Sequence, residues 1–178
     1  MVRMRRHRTR FEIARQARYL TFSCYRRLPL FNNDGVKAAF VDCVAATKSQ
    51  HEFLLLGWVI MPEHVHLMIV PDMGRATVPV VLRSMKQSFS QQVIHRWESL
   101  NAPVLNRLID PRGVRHFWQR GGGYDRNIYT DAELFEKIEY IHNNPVRRGL
   151  VSVPTDWAWS SARWYSGMRS GELAIDRL

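Results

Sequence analysis

The sequence predicts an α+β fold: a ferredoxin-like βαββαβ sandwich with one open sheet face and an added C-terminal helix. Three observations support this prediction. Residues 19–25 alternate between apolar and polar side chains, as a strand with one buried face does. Residues 53–60 and 64–70 form two apolar runs, and the turn between them contains Pro62, which favours a hairpin. Two segments with apolar side chains at helical spacing follow the first strand and the hairpin, where this fold places its helices.

The first three predicted elements are a strand, a helix and a hairpin. One side of the first strand carries Leu20, Phe22 and Cys24, and the other carries Tyr19, Thr21, Ser23 and Tyr25. The first helix begins at residues 33–35, because Val36, Phe40, Val41 and Val44 then recur at helical spacing. In the predicted fold the first and third strands are central, so the polar side of the first strand lies beside the strand of residues 64–70.

The remaining elements are a second helix, a fourth strand and a last helix. Thr77 is a candidate cap for the second helix, with Pro79 in its first turn. We expect the fourth strand at residues 114–119, ended by the three glycines at 121–123. The capping-box pattern from Thr130 to Glu133 begins the last helix, which we expect to end after Asn144, before Pro145.

Composition favours a soluble protein with a polyanionic partner. The 178 residues are 46% apolar and carry a net charge of +10, and 22 of the 26 basic residues are Arg. Arg can bind phosphate through two hydrogen-bond donors, which suits such a partner. A GC-rich genome would also raise the Arg content, and the sequence leaves both explanations open. The two cysteines have no metal-site spacing. We expect no signal peptide, no membrane span and a cytoplasmic location.

We divide the chain into a basic arm at 1–18, a single domain at 19–165 and a tail at 166–178. The first 27 residues contain nine Arg and one acid, Glu12, so we expect the arm to lie on nucleic-acid phosphates. A solvated disordered tail is the alternative for the first ten residues. The candidate DNA-binding residues are Arg3, Arg5, Arg6, Arg8, Arg10, Arg15 and Arg18.

A pair of histidines marks the candidate site. His64 and His66 are alternate residues of a strand, so they point to one face about 6–7 Å apart and can converge on one divalent ion. Two neutral imidazoles with an amide oxygen suit Mg²⁺ or Mn²⁺, whereas zinc would prefer a third His, Cys or carboxylate. Glu63 is the nearest carboxylate, but we expect it to point to the face opposite His64.

Two residues of the last helix face the same way. At 100° per residue, Leu134, Ile138 and Ile141 form an apolar stripe within about 40° of one direction. Tyr140 and Asn144 lie near 240° and 280° on that wheel, off the stripe and one turn apart. A tyrosine beside a divalent ion is well placed to attack a phosphodiester, and a covalent intermediate keeps the bond energy for rejoining.

These segments resemble a known family. Residues 61–68, Met-Pro-Glu-His-Val-His-Leu-Met, resemble the His-hydrophobic-His signature of single-tyrosine transposases. Residues 140–151 resemble the nucleophile helix of their REP-associated branch. Three further segments fit the same branch, and the resemblance spans about residues 18–165. These segments are residues 19–25, 117–119 and 156–161.

The resemblance implies a site and a reaction. His64 and His66 would bind the divalent ion, Mg²⁺ or Mn²⁺, with Asn144 as the third, amide ligand. Tyr140 would attack single-stranded DNA near palindromic repeat hairpins, leaving a 5′-phosphotyrosine bond and a free 3′-OH. The basic arm would read bases that flank the hairpin, and no nucleotide cofactor is implied.

Two other functions remain open from the sequence. A catalytically idle nucleic-acid-binding module would stack bases on the aromatic side chains Tyr19 and Tyr25, but it leaves the histidine pair without a role. A zinc hydrolase would need a third strong ligand and a general base. The sequence leaves the oligomeric state open between a monomer and a dimer that exchanges tyrosine helices, and the C-terminal extension favours a monomer.

Overall fold

The computed structural model describes residues 16–72, 74–121, 123–168 and 172–177. Its main elements are four strands, three long helices and one short helix near the C-terminus. Three 3-10 turns complete the order. The elements are β1 (Arg18–Ser23), α1 (Asp34–His51), β2 (Leu54–Ile60), β3 (His64–Val70), α2 (Val78–Ser99), β4 (Tyr124–Asn127), α3 (Asp131–Arg147) and α4 (Ala162–Tyr165), with turns at Tyr25–Arg27, Pro103–Arg107 and Pro154–Asp156.

The four strands form one antiparallel sheet in the order β2-β3-β1-β4. β1 and β3 are therefore central, and the predicted ferredoxin-like arrangement is confirmed. The register aligns Thr21 of β1 with His66 of β3 on one side and with Tyr124 of β4 on the other. Because directly paired residues point to the same face of a sheet, these three side chains form one cross-strand row.

Each face of the sheet has its own apolar core. α1 and α2 cover the face that carries Leu20 and Phe22, where Phe40 and Phe89 are almost fully buried. α3 packs on the other face, mainly over β2, in a smaller core that includes Ile138. The face that the sequence predicted to be open is thus covered by α3 on the β2 side, while a cleft remains over β1 and β4.

The helices begin near the predicted residues, although the side chain of Thr77 makes no capping hydrogen bond at the start of α2. The side chain of Asn33 accepts a hydrogen bond from the Val36 amide at 3.2 Å, and that of Thr130 accepts from the Glu133 amide at 3.1 Å. The sequence predicted that α3 would end before Pro145, but the helix continues to Arg147. Proline lacks the amide that would bond to the preceding turn, and its ring crowds the carbonyl four residues earlier. Pro145 is the third-last residue of α3, so little of the helix follows this disruption.

The fourth strand lies later than the sequence predicted. Residues 114–119 make only isolated bridges, and the strand that pairs with β1 is Tyr124–Asn127. Phe117 and Trp118 are neighbours in sequence and both are buried in the α1/α2 core, which regular strand alternation does not allow. Gly123 permits the true pairing: its φ is +74°, and a Cβ there would lie 2.2 Å from the Thr21 carbonyl oxygen.

The C-terminal part of the chain covers the outer edge of β2. The Ile60 amide donates to the Trp159 carbonyl at 2.9 Å, and the Ser161 amide donates to the Trp58 carbonyl at 2.9 Å. In the region predicted to be a tail, Asp176 accepts from the Leu55 amide at 2.8 Å. These contacts satisfy backbone groups that an exposed edge strand would leave unpaired.

Candidate active site

The histidine pair is buried on β3 with its ring nitrogens facing each other. The Nε2 atoms of His64 and His66 are 3.0 Å apart. The hydroxyl oxygens of Tyr19 and Thr21 lie 2.8 and 2.7 Å from Nδ1 of His66. When Nδ1 carries the proton and donates it to one of these oxygens, Nε2 keeps its lone pair, as a metal ligand requires.

Burial keeps both imidazoles neutral. Burial lowers the pKa of His66 to about 3, and His64, when it is protonated, lowers it further. Burial also lowers the pKa of His64, although the neighbouring carboxylate of Glu63 opposes it. Neutral imidazoles are the form that binds metal ions.

α3 brings Asn144 and Tyr140 to the histidines. Nδ2 of Asn144 lies 3.1 Å from Nε2 of His66, and because the two ends of an amide have the same shape, a flip would place Oδ1 there. The Tyr140 ring centroid lies 5.9 Å from that of His66, and the tyrosine is 38% exposed. The structure therefore assembles the four residues that the sequence singled out: His64, His66, Tyr140 and Asn144.

This donor set fits a divalent cation. Two ligand atoms at right angles, each about 2.1 Å from one ion, are about 3.0 Å apart, which matches the separation of the two Nε2 atoms. Among the described residues, no group of three His, Cys, Asp or Glu side chains is arranged to hold a metal. The amide of Asn144, 3.1 Å from Nε2 of His66, is a candidate third donor.

Glu63 lies against the site, and the expectation that it points away from His64 was wrong. Its Oε1 atom is 3.3 Å from Nδ1 of His64 and accepts a hydrogen bond from Nη1 of Arg148 at 2.6 Å. Because Glu63 belongs to the turn before β3, strand alternation does not govern its direction. Burial acts to raise the pKa of this carboxyl, but the hydrogen bond from Arg148 and the charges of His64 and Arg148 outweigh it and lower the pKa. Glu63 thus joins a candidate metal ligand to the end of the helix that carries Tyr140.

Tyr140 opens onto a cleft of about 350 Å³, which we call the tyrosine cleft. On the helix side, the guanidinium carbon of Arg147 lies 5.0 Å from the Tyr140 ring centroid, within cation–π range. The side chains that line the tyrosine cleft are Tyr19, Thr21, His66, Tyr124, Arg126, Lys137 and Tyr140.

The predicted DNA-binding arginines fall into two groups. Arg3, Arg5, Arg6, Arg8, Arg10 and Arg15 lie outside the described residues. Arg18 begins β1 and is 1% exposed, and its guanidinium donates two hydrogen bonds to Asp125 at 2.9 and 2.7 Å. We therefore assign Arg18 to the fold and leave it out of the proposed DNA contacts.

Sequence reasoning missed several residues around the site. Arg147 and Arg148 lie in residues 140–151, the segment that resembles the nucleophile helix. The sequence could therefore have indicated that they lie near Tyr140. Tyr124 and Arg126 lie in a polar segment without apolar alternation, and no pattern in the sequence marks them. None of the helices in the described part of the chain has the length and apolarity of a membrane span.

Comparisons with known proteins identify the family of this chain. Residues 16–144, more than half of the chain, match the family described as IS200-like transposases. A REP-associated tyrosine transposase of Haemophilus influenzae is 25% identical over 122 residues, which are 68% of this chain and 66% of that protein. A REP-associated tyrosine transposase of Escherichia coli is 25% identical over 118 residues, 66% of this chain and 59% of that protein. The matched region thus spans less than two thirds of each relative's length.

A solved structure shares the fold. It is a REP-associated tyrosine transposase bound to a REP hairpin, with a TM-score of 0.70 and 21% sequence identity. The match covers 97% of this chain and 93% of the other. The resemblance to REP-associated tyrosine transposases is confirmed by these matches, and the chain belongs to the IS200-like transposase family.

Proposed function

We propose that this protein is a metal-dependent endonuclease and strand transferase that cuts and rejoins single-stranded DNA near palindromic repeat hairpins. One observation carries the proposal. Nε2 of His66 lies 3.0 Å from Nε2 of His64 and 3.1 Å from the amide nitrogen of Asn144. An exposed tyrosine, Tyr140, lies beside this group. This set combines a candidate cation site with a covalent nucleophile.

Tyr140 is the proposed nucleophile. Its phenol oxygen attacks the scissile phosphorus, and its proton passes to the solvent that reaches this partly exposed residue. An O–P bond forms between Tyr140 and the 5′ phosphate, the P–O3′ bond breaks, and the 3′ oxygen takes up a proton to become a free 3′-OH. The reverse attack by a 3′-OH on the phosphotyrosine rejoins the strand and releases the phenol, so no nucleotide cofactor is needed.

The metal role follows from the donor set. His64, His66 and Asn144 would hold Mg²⁺ or Mn²⁺, which when bound withdraws charge from the scissile phosphate and orients it. Nδ1 of His66 can donate to the hydroxyl of Tyr19 or Thr21, and the Glu63 carboxylate lies 3.3 Å from Nδ1 of His64. These contacts would keep the ligands in place before DNA arrives, which lowers the cost of assembling the site.

The proposed substrate rests on charge and on similarity. The net charge of +10 favours a polyanion. The structurally similar REP-associated transposase is bound to a REP hairpin, so we propose a hairpin with single-stranded flanks as the substrate here. Arg3, Arg5, Arg6, Arg8, Arg10 and Arg15 are the proposed contacts of the basic arm with these flanks.

A cleavage assay tests the proposal. Hairpins with labelled single-stranded flanks are incubated with Mg²⁺ or Mn²⁺ and separated on denaturing gels that retain protein–DNA adducts. We expect a metal-dependent adduct that Tyr140→Phe abolishes. Tyr129→Phe is the matched control, because Tyr129 is exposed just before α3 and does not line the tyrosine cleft, and it should keep full activity.

The assay also separates the alternatives. Hairpin binding without any adduct in either metal would favour the idle binding module. In a parallel incubation with Zn²⁺, cleavage that leaves no adduct would favour a hydrolase. An adduct that persists in Tyr140→Phe would show that another residue is the nucleophile.

A further inference from the structure

We propose that the tyrosine cleft binds the base of one unpaired nucleotide next to the scissile phosphate, with the Tyr124 ring as its stacking surface. This inference rests on the proposed function, since it concerns DNA held for attack by Tyr140. It assigns a base-binding role to β4, an element that takes no part in the candidate metal site.

The sheet register places Tyr124 in line with the candidate site. Thr21 pairs with His66 on one side and with Tyr124 on the other, so Tyr124 points to the same face two strands from His66. Two strand spacings are about 10 Å. Tyr124 and His66 therefore lie at the two ends of one cross-strand row, and both line the tyrosine cleft.

The walls of the cleft suit a flat aromatic ligand. The rings of Tyr124 and Tyr140 both approach that of Tyr19 edge-on, with centroid separations of 5.9 and 6.3 Å. The volume of about 350 Å³ is at the lower end of small-molecule sites, which suits one base and its sugar but not a duplex. Proteins that hold single strands commonly stack unpaired bases on aromatic side chains of a sheet.

Two cations at the cleft suit the phosphates on either side of that base. Arg126 follows Tyr124 by two residues on β4, and Lys137 precedes Tyr140 by nearly one turn of α3. Each is paired with a carboxylate, Arg126 with Glu133 and Lys137 with Glu136. The side chain of Arg126 is 46% exposed and that of Lys137 is 19% exposed, so Arg126 is the cation with more freedom to turn to a phosphate.

The position of Tyr140 makes an unpaired nucleotide the fitting occupant. Tyr140 itself lines the cleft, so a phosphate within reach of its hydroxyl has its neighbouring nucleotide at the cleft mouth. Only an unpaired base offers both of its faces for stacking without first breaking a base pair. The single-stranded flank of a hairpin supplies such bases.

The test measures binding in the absence of cleavage. In a Tyr140→Phe background, a hairpin selected for binding from a pool with randomised flanks carries one abasic site, moved stepwise along each flank. We expect one abasic position to weaken binding by about 5- to 150-fold, the range for losing one stacked base. In a Tyr124→Leu background the same abasic site should have little further effect, because the stacking surface is already gone.

Matched variants separate stacking from folding. Tyr124→Phe keeps the ring and should keep the abasic effect, while Tyr129→Leu removes an exposed tyrosine outside the cleft and should also keep it. Thermal unfolding of each variant shows whether β4 remains paired, and Tyr124→Trp supplies a second ring-bearing variant that should keep the effect.

The outcomes distinguish this inference from the proposed function. If no flank position is sensitive, or if the sensitive position responds equally in Tyr124→Leu, the base site is refuted even when Tyr140 forms its adduct. If the abasic effect depends on Tyr124 but wild-type protein never forms an adduct, the base site stands and the proposed function fails.

Discussion

The buried pair between Arg18 and Asp125 gives a prediction that separates a folding role from a DNA-binding role. The two side chains are 2% and 1% exposed, and two hydrogen bonds join them from β1 to β4. Asp125→Leu leaves the buried guanidinium without this partner, and breaking a buried pair in this way costs about 3–5 kcal/mol. For a chain of this size that corresponds to a fall in Tm of roughly 6–20 °C.

A double variant supplies the control for charge burial. Arg18→Met combined with Asp125→Leu removes both charges of this pair, so it should be more stable than Asp125→Leu alone. An exposed pair provides the comparison: Glu98 bonds to Arg115 at the surface, and Glu98→Leu should cost less than about 1 kcal/mol.

Two assays check this prediction. Urea unfolding followed by circular dichroism gives the free energy of unfolding of each variant. Hairpin affinity as a function of salt gives the number of phosphate contacts, and losing one lowers the slope by about 1. We expect the double variant to keep the wild-type salt slope. A loss below 1 kcal/mol in Asp125→Leu, or a lower salt slope in the double variant, would refute the role that we assign to Arg18.

Three other changes have defined outcomes. Glu63→Gln should weaken Mn²⁺ binding by about 10- to 100-fold, because we propose that the carboxylate orients a ligand imidazole. Mn²⁺ titration followed by electron paramagnetic resonance measures this affinity, and an unchanged affinity would contradict that role. Burial lowers the pKa of His142 to about 4, so the unfolded chain takes up a proton that the folded state does not, and stability should fall as pH drops from about 6.5 to 4. His142→Asn should flatten that fall in urea titrations, and an unchanged slope would exclude His142 as a source. Gly123→Ala should destabilise the fold strongly, since its Cβ would meet the Thr21 carbonyl oxygen. Gly113 also has a positive φ but has open space around it, so Gly113→Ala should cost only about 1 kcal/mol. Equal losses of stability in thermal unfolding would contradict the close approach at Gly123.

Most of the framework was predictable because buried faces impose a period. β1 and β3 showed alternation or apolar runs, and α1 showed helical spacing after a capping Asn33. The wheel of α3 placed Tyr140 and Asn144 on one side because its apolar stripe is narrow. Periodicity thus predicted both the sheet order and the residues that meet at the candidate site.

The rest depends on interactions that leave no periodic pattern. β4 is a short polar edge strand, held by the Arg18–Asp125 pair and by the close approach of Gly123. The aromatic pair Phe117 and Trp118 looked like a strand because its side chains are apolar, yet both enter one core. Glu63 lies in a turn, where side-chain direction follows the local backbone and not an alternating rule.

The most direct test of the account is to identify the residue that is bonded to DNA. The adduct formed with hairpin DNA is digested with nuclease and protease, and mass spectrometry locates the remaining nucleotide on a peptide. We predict a 5′-phosphate linked to Tyr140, with a 3′-OH on the released strand. A nucleotide on another residue, a 3′-phosphate linkage, or cut DNA without any modified peptide would contradict the proposed mechanism.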